Sequence, residues 1–109
     1  MSETKIYNLS RIEPKQLFKG AEVRFVHSEH MTVAYWQFES GILLPEHSHP
    51  HEQITNIMGG KFELCIDGTR YELGTGETAI IPANAKHSGR SITACYIIDI
   101  FHPVREDYR

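Results

Sequence analysis

The segment KFELCIDGTRYEL, residues 61–73, decides the fold class of this chain. Phe62, Leu64 and Ile66 alternate with polar or small residues, which is the period-two pattern of a strand with one buried face. The Asp-Gly pair at 67–68 supplies the positive φ values that a tight two-residue turn needs. The segment therefore predicts an antiparallel β-hairpin.

Similar runs lie on both sides of this hairpin. They are rich in β-branched and aromatic residues, are bounded by Gly, Pro, Asn or Asp, and occupy residues 22–27, 31–38, 77–81 and 93–101, in addition to the hairpin's own runs at 61–66 and 70–73. Only EPKQLF (13–18) carries a weak helical pattern. We therefore expect roughly eight to ten short strands, an all-β sandwich or barrel, and a single domain over residues 1–109.

Composition argues against several classes of partner. The 11 Lys and Arg are scattered and the formal net charge is −3, which disfavours binding to a nucleic-acid backbone. No run approaches the ~20 apolar residues of a membrane span, and MSETKIYNLS at the start lacks the apolar segment of an export signal. Cys65 and Cys95 lie in strand-like runs and are interpreted as reduced thiols. These features predict a soluble cytoplasmic protein with no nucleic-acid or membrane partner.

Three of the seven histidines fall in the short stretch HSHPHEQ, which begins at His47. His47 and His49 are two residues apart, so on an extended segment both imidazoles point to the same face. His51 continues that face only if Pro50 leaves the strand straight. Gln53 begins the next apolar run and shares the odd-numbered face if the register holds. Two imidazoles on one face can share a metal ion.

His87, in PANAKHSG, is the fourth candidate ligand, because a barrel could bring this later segment opposite the first. Three imidazoles and one oxygen donor leave open positions on a divalent transition metal such as Ni, Zn, Fe, Mn or Cu. A metal ion with open coordination positions can bind a substrate for catalysis or hold another small-molecule ligand. The alternative is a solvated loop whose histidines bind nothing. His27, His30 and His102 are isolated and are expected to be surface or hydrogen-bonded residues.

The C-terminal run IIDIFHPVREDY places an acid among apolar residues. On a period-two strand Asp99 and Phe101 share a face with Cys95 and Ile97. If that face lines the barrel interior, Asp99 has a raised pKa and can transfer a proton near neutral pH. Arg105 could pair with Asp99 or bind a substrate carboxylate. The alternatives are an edge acid facing water and a phenylalanine that only packs in the core.

Two longer stretches carry a family resemblance. Residues 41–60 resemble the first cupin motif, a glycine, five residues, His-x-His, a ligand position, six residues and a glycine. Residues 76–91 resemble the second motif, with its glycine, central proline and later histidine. The resemblance implies a cupin barrel, that is, a double-stranded β-helix or jelly roll. It also implies four metal ligands: His47, His49, Gln53 and His87.

The chain departs from the usual cupin motifs at three positions. Gln53 stands where many cupins have glutamate, Asn84 where a glycine is usual, and Ser91 where an asparagine is usual. An amide binds a divalent ion more weakly than a carboxylate and leaves the site one charge more positive. This favours an ion that attracts an anionic substrate, and it argues against iron oxygenase chemistry.

The combination of HSHPHEQ, PANAKHSG and a tail of the form Asp-x-Phe-x-Pro-x-Arg resembles small cupins of the KdgF type, which take part in pectin and alginate degradation. The resemblance covers about residues 20–109. It implies an enzyme that promotes ring opening of 4,5-unsaturated uronate monosaccharides to the linear keto-aldehyde acid. Asp99, Phe101 and Arg105 match the active-site residues of that family.

Two other functions are compatible with the same barrel. One is a metal-dependent dioxygenase or another small-molecule isomerase, and the other is a non-catalytic cupin that binds a sugar or metabolite. Small cupins commonly pair, so we expect a homodimer. Residues 5–10 (KIYNLS) could add a strand to the sheet of a partner.

Overall fold

Ten antiparallel strands form two sheets in the computed structural model, which describes residues 3–109. The strands are β1 (Lys15–Phe18), β2 (Ala21–His27), β3 (Thr32–Phe38), β4 (Leu43–His47), β5 (Glu52–Gly59), β6 (Lys61–Ile66), β7 (Thr69–Gly74), β8 (Thr78–Ile81), β9 (His87–Ser91) and β10 (Cys95–His102). Short 3-10 turns lie at Leu9–Arg11 and Glu106–Tyr108. The larger sheet has the order β1-β2-β3-β10-β5-β8 and the smaller β4-β9-β6-β7. The predicted all-β jelly-roll barrel is confirmed.

The core lies between the two sheets, where alternate residues of most strands point inward. In β10 every odd-numbered residue from Cys95 to Phe101 is buried, and in β3 every even-numbered residue from Thr32 to Phe38 is buried. Aromatic side chains fill much of the space, with Trp36 stacked on Phe38 at 5.2 Å between ring centroids. Period two in the sequence thus reports which side chains face the interior.

The hairpin predicted at 61–73 is present as β6 and β7. The two strands pair over six residue pairs and are joined by Asp67 and Gly68. Their φ angles are 46° and 84°, so both turn residues adopt the left-handed conformation that a two-residue hairpin turn of this kind requires.

The helix suggested by the weak pattern at 13–18 is wrong, because residues 15–18 form strand β1. This strand pairs with β2, with Lys15 opposite Val23 and Phe18 opposite Ala21. Six residues are too few to sustain a helix without tertiary support, whereas the exposed edge of β2 offers backbone partners.

Residues 3–8, which we call the N-terminal arm, form no helix or strand. The strand predicted at 5–10 therefore does not exist within the single chain, and its pairing with a partner stays a prediction. Ile6 and Tyr7 of the arm are 91% and 52% exposed. Across residues 3–109, no helix has the length and apolar character needed to cross a membrane.

Two of the three departures from the cupin motifs have clear structural roles. Asn84 has a φ of 67°, a left-handed conformation that asparagine tolerates better than most residues other than glycine. Ser91 is fully buried, where its hydroxyl donates to the carbonyl of Glu39 and accepts from the amide of Ile42. Both substitutions maintain the loop and strand geometry around the second motif.

Candidate functional site

Three histidines meet at one end of the barrel. His47 ends β4 and His87 begins β9, and the two residues are direct partners in the ladder between these strands. His49 follows β4 and turns its ring toward both, at centroid distances of 5.8 and 4.9 Å. The nitrogen ligand atoms of all three lie within 4.8 Å of one another. This cluster could bind a metal ion.

The backbone sets the tautomer of each of these imidazoles. Nδ1 of His47 lies 2.9 Å from the carbonyl oxygen of Pro45, and Nδ1 of His87 lies 3.0 Å from that of Ala85. Nδ1 of His49 is likewise 3.0 Å from the carbonyl oxygen of His51. A carbonyl only accepts, so each Nδ1 carries the hydrogen and each neutral ring presents an unprotonated Nε2. An oriented ring with a free Nε2 lone pair is the form that binds metal.

Two nitrogen atoms of the cluster, Nε2 of His87 and Nε2 of His49, lack a hydrogen-bond donor as partner within residues 3–109. Nε2 of His87 is buried without a hydrogen-bond partner among the described residues. Nε2 of His49 faces Oε1 of Gln53 at 3.1 Å, so two acceptors point at each other. Facing lone pairs repel, and a cation that both can coordinate removes the conflict. The donor set therefore fits a metal ion, with Gln53 as the candidate oxygen ligand.

Burial favours the neutral forms of His49 and His87. Burial lowers the pKa of His49 to about 4, and the nearby charges of Arg105 and His87 act in the same direction. Burial also lowers the pKa of His87. Because only neutral imidazole binds a metal, these shifts favour binding at neutral pH.

The other histidines lie outside this cluster. The chain bends at Pro50, so His51 does not continue the face of His47, although its ring lies 5.4 Å from that of His49. His27 is hydrogen-bonded through Nδ1 to the hydroxyl of Thr32 at 2.8 Å, as expected for an isolated histidine. His30 and His102 are exposed, as expected.

A cavity of about 270 Å³ extends from the histidines into the barrel. Its deeper wall is aromatic and aliphatic, and its polar groups gather at the histidine end. The apolar lining includes Trp36, Phe38, Phe62 and Leu64. A single pocket that combines an apolar wall with a few converging polar groups is typical of a small-molecule site.

Asp99 lines this cavity and is 8% exposed, so the alternative of an edge acid facing water is wrong. Burial raises the pKa of Asp99 to about 6, against the opposing effect of hydrogen bonds from Thr55 and Gln53. The Thr55 hydroxyl donates to Oδ1 of Asp99 at 2.7 Å, and Nε2 of Gln53 donates to that hydroxyl at 3.0 Å. A continuous chain of hydrogen bonds thus links the candidate oxygen ligand to the buried acid.

Arg105 also lines the cavity, but its acidic partner is Asp107. The guanidinium donates to both carboxylate oxygens of Asp107, at 3.0 and 2.8 Å. The alternative in which Arg105 pairs with Asp99 is therefore wrong for the residues that the structure describes. The guanidinium carbon lies 4.8 Å from the ring centroid of Phe101 and 4.2 Å from that of Tyr108. Two rings and one carboxylate hold this cation in place.

Phe101 is buried, and its ring edge contacts the His49 ring at a centroid distance of 5.7 Å. It packs between the candidate metal ligands and Arg105, so it belongs to the site as well as to the core.

Three residues of the site were not predicted from the sequence. Thr55 lies two residues after Gln53 on the same strand face, so period two could have identified it. Asp107 and Tyr108 lie in a 3-10 turn after β10, and the short sequence EDY carries no pattern that places it over a cavity.

Comparison with known proteins agrees with this architecture. The family model for the cupin domain matches residues 34–101, which include strands β4 and β9 and all three histidines of the cluster. The chain belongs to the cupin family. This cupin is similar to the pectin degradation protein KdgF of Dickeya dadantii (strain 3937), with 30% identity over 83 residues that cover 74% of this chain and 76% of that protein.

Solved structures share the fold over nearly the whole chain. The structure of KdgF from Halomonas sp. superposes with a TM-score of 0.92 at 21% identity and covers 98% of this chain and 100% of that chain. An RmlC-like cupin from Shewanella frigidimarina NCIMB 400 gives a TM-score of 0.90 at 24% identity, with 99% and 97% coverage. At this level of identity the two structures establish the fold alone.

Proposed function

We propose that this cupin is a metal-dependent enzyme of uronate catabolism, which promotes ring opening of 4,5-unsaturated uronate monosaccharides from pectin or alginate. The product would be the linear keto-aldehyde acid. The similarity to a pectin degradation protein supports the substrate class. The observation that carries the proposal is a buried acid, Asp99, and a fixed cation, Arg105, in one cavity that is also lined by His47 and His87 of the cluster that could bind a metal.

The residues at the metal end would bind and orient the sugar acid. His47, His49, Gln53 and His87 would hold one divalent transition metal, which would supply Lewis acidity toward the carboxylate and a neighbouring oxygen of the substrate. Imidazole binds a metal in its neutral form and the Gln53 amide carries no charge, so the site would keep the full charge of the ion. A substrate that carries a carboxylate is therefore favoured over an uncharged sugar.

Arg105 would bind the same substrate from the side of β10. Its guanidinium is held in place by Asp107, and its planar fork matches a carboxylate or a pair of hydroxyl oxygens. The rings of Phe101 and Tyr108 contact the guanidinium from adjacent sides and would shield part of it from water. Binding from two sides would fix the ring beside Asp99.

Asp99 would transfer the protons of an isomerisation with no net oxidation. As a carboxylate it would take the proton of the anomeric hydroxyl while the bond between the anomeric carbon and the ring oxygen breaks, which leaves an aldehyde and an enolate. As a carboxylic acid it would then give that proton to C4 of the sugar, the alkene carbon bonded to C5. The enolate oxygen on C5, which was the ring oxygen, becomes the oxygen of a ketone. A pKa of about 6 suits both halves near neutral pH.

The hydrogen-bond chain supports this role of Asp99. Thr55 would hold Oδ1 and so fix the orientation of the carboxyl group in the cavity. Because Gln53 orients the Thr55 hydroxyl, a residue of the metal end positions the acid. Thr55 is thus a positioning residue, since it acts through Asp99.

The first experiment follows the ultraviolet absorbance of a 4,5-unsaturated uronate monosaccharide, generated by a polysaccharide lyase, with the metal-loaded protein. The conjugated alkene absorbs and the linear product does not. We expect rapid loss with the wild type, a rate about 10²- to 10⁴-fold lower for Asp99→Asn, and an unchanged rate for His30→Ala, whose ring is exposed away from the cavity. Nuclear magnetic resonance of the product would identify the aldehyde and ketone.

A rate no faster than in buffer, with metal confirmed in the protein, would refute the proposal. Oxygen consumption during turnover would point instead to a dioxygenase, and saturable sugar binding without turnover to a binding protein. We further propose a cytoplasmic location, because Cys65 and Cys95 are both free thiols.

A further inference from the structure

Residues 103–109, which we call the C-terminal turn, lie outside both sheets but carry the fixed cation of the cavity. The turn follows β10 and contains the short 3-10 helix Glu106–Tyr108. Within it Arg105 is buried, at 6% exposure, and lines the cavity. Neither strand ladder includes the turn, so contacts other than strand pairing must hold it against the barrel.

The ion pair between Arg105 and Asp107 does not attach the turn to the barrel. Both residues belong to the turn, so the pair fixes the guanidinium relative to the turn and would move with it. The pair uses Nε and Nη2 of Arg105. Nη1 has no hydrogen-bond partner among residues 3–109, so this atom is available for an oxygen of the substrate.

A buried hydrogen bond attaches the turn to the barrel at Thr32. The backbone amide of Arg105 donates to the Thr32 hydroxyl at 2.9 Å. Thr32 is 0% exposed and begins β3, where it lies opposite Phe101 of β10 and His27 of β2. The cavity lining does not include Thr32, so this side chain would act on a substrate only through the residues that it holds.

His27 supplies a second hydrogen bond to the Thr32 hydroxyl. Its Nδ1 lies 2.8 Å from Oγ1 of Thr32. Because the hydroxyl oxygen already accepts from the amide of Arg105, its proton can be donated to Nδ1 of a neutral His27 ring that carries its own hydrogen on Nε2. A hydroxyl that both donates and accepts has a fixed direction. His27 therefore orients the hydroxyl toward the turn.

The other polar contact between the turn and the barrel lies at the surface. The Arg109 side chain donates to the carbonyl of Ser28 at 3.0 Å, but it is 44% exposed, so water competes with this bond. The Tyr108 ring stacks on Phe25 at 4.5 Å between centroids. Contact between rings is less directional than a hydrogen bond. The bond to Thr32 is thus the buried, directional attachment of the turn.

We propose that Thr32 is a positioning residue of the proposed reaction, because it holds the main chain of Arg105 and so aims Nη1 at the substrate. This inference rests on the proposed function. Without the hydroxyl, a buried amide would lose its partner and the turn would shift. A misplacement of about 1 Å at a binding group can cost about 100-fold in rate. Substrate binding should therefore weaken although the metal ligands and Asp99 are unchanged.

The test measures KM and kcat in the ultraviolet assay for two substitutions at the same position. Thr32→Val keeps the branched shape and removes the hydroxyl, whereas Thr32→Ser keeps the hydroxyl. Ser91→Ala is the matched control, because Ser91 is also 0% exposed and its hydroxyl accepts from the backbone amide of Ile42, away from the cavity lining. Thermal unfolding and metal titration of each variant separate lost stability from lost binding.

We expect Thr32→Val to raise KM at least about tenfold with metal affinity unchanged, and Thr32→Ser to stay within about threefold of the wild type. Ser91→Ala should lose stability and keep the wild-type KM. In an Arg105→Gln background, Thr32→Val should raise KM no further, because both substitutions remove the same contact with the substrate.

A wild type that turns over the sugar while Thr32→Val keeps its KM would overturn this inference alone. So would an equal further rise of KM in the Arg105→Gln background, since Thr32 would then be only structural. No turnover by the metal-loaded wild type would refute the proposed function and this inference with it. Amide hydrogen exchange needs no variant: the Arg105 amide should exchange at least about 100-fold more slowly than that of exposed Glu106, and equal rates would overturn the inference.

Discussion

Replacing Asp99 with asparagine should stabilise the metal-free protein at neutral pH, although we expect it to remove the proposed activity. Asp99 is 8% exposed, and burial raises its pKa from 3.8 to about 6 because apolar surroundings disfavour the charged form. Above that pKa the folded chain carries a carboxylate that would be better solvated in the unfolded chain. Asparagine has nearly the same shape, can still accept the hydrogen bond from Thr55, and carries no charge.

The size of this effect follows from the pKa shift. The difference between 3.8 and about 6 corresponds to about 3 kcal/mol. Between the two values the folded chain binds more protons than the unfolded chain, so the contribution of Asp99 to stability falls as pH rises from about 4 to about 6. Asparagine should therefore raise the free energy of unfolding by about 3 kcal/mol at about pH 8, or the Tm by roughly 13 °C, and by less than about 1 kcal/mol at about pH 4.

The assay is thermal and urea unfolding of both proteins in a chelator at these two pH values. His49 and His87 titrate in the wild type and in the variant alike, so their effects cancel in the difference. Asp107→Asn is the matched control: its hydrogen bond from Arg105 lowers the pKa of this carboxyl, so the substitution should slightly destabilise the protein at about pH 8. Equal stability of wild type and Asp99→Asn at about pH 8, or the same gain at both pH values, would refute the reasoning.

Three further changes test the ligands and the backbone. His87→Ala should lower affinity for a divalent transition metal by at least about 100-fold in calorimetric titrations, whereas His102→Ala, at an exposed position, should leave it unchanged. Gln53→Glu should raise that affinity about tenfold in competition with a chelator, because a carboxylate adds charge; a weaker site would show that residue 53 is not a ligand. Gly60→Ala should lose at least about 2 kcal/mol of stability, because φ is +90° and the added carbon meets a backbone carbonyl, while Gly41→Ala, at φ +78° in open space, should lose less.

Period two in the sequence was sufficient to predict most of the strands, because burial in a barrel follows that period directly. The hairpin at 61–73 was predictable to its turn residues, since only certain residues accept both φ angles. The strand at Lys15–Phe18 was not, because its pairing depends on the exposed edge of β2 rather than on its own side chains. The residues of a short strand do not by themselves show which neighbouring strand will pair with it.

The candidate site likewise has some features that were predictable from the sequence and others that were not. His47 and His49 were predictable as neighbours because they lie two residues apart, and the cupin motif related His87 to them. The partner of Arg105 was not predictable, because Asp99 and Asp107 are six residues before it and two residues after it, and only the 3-10 turn decides between them. Burial of Asp99 followed from strand alternation, but the hydrogen bond from Thr55 required the register between β5 and β10.

The way in which the three imidazoles are oriented has a consequence for how this barrel could change. Each Nδ1 is held by a carbonyl only two residues away, at Pro45, His51 or Ala85, so main-chain atoms close to each histidine aim its Nε2. Within residues 3–109, these three Nδ1 atoms bond to main-chain carbonyls and to no side chain. The orientation of the three nitrogen donors is thus separate from the Gln53–Thr55–Asp99 chain: one could redesign the wall around Arg105 for a different small molecule and retain the same three nitrogen donors. Main-chain orientation of the metal ligands would therefore make this barrel a practical scaffold for the design of new reactions.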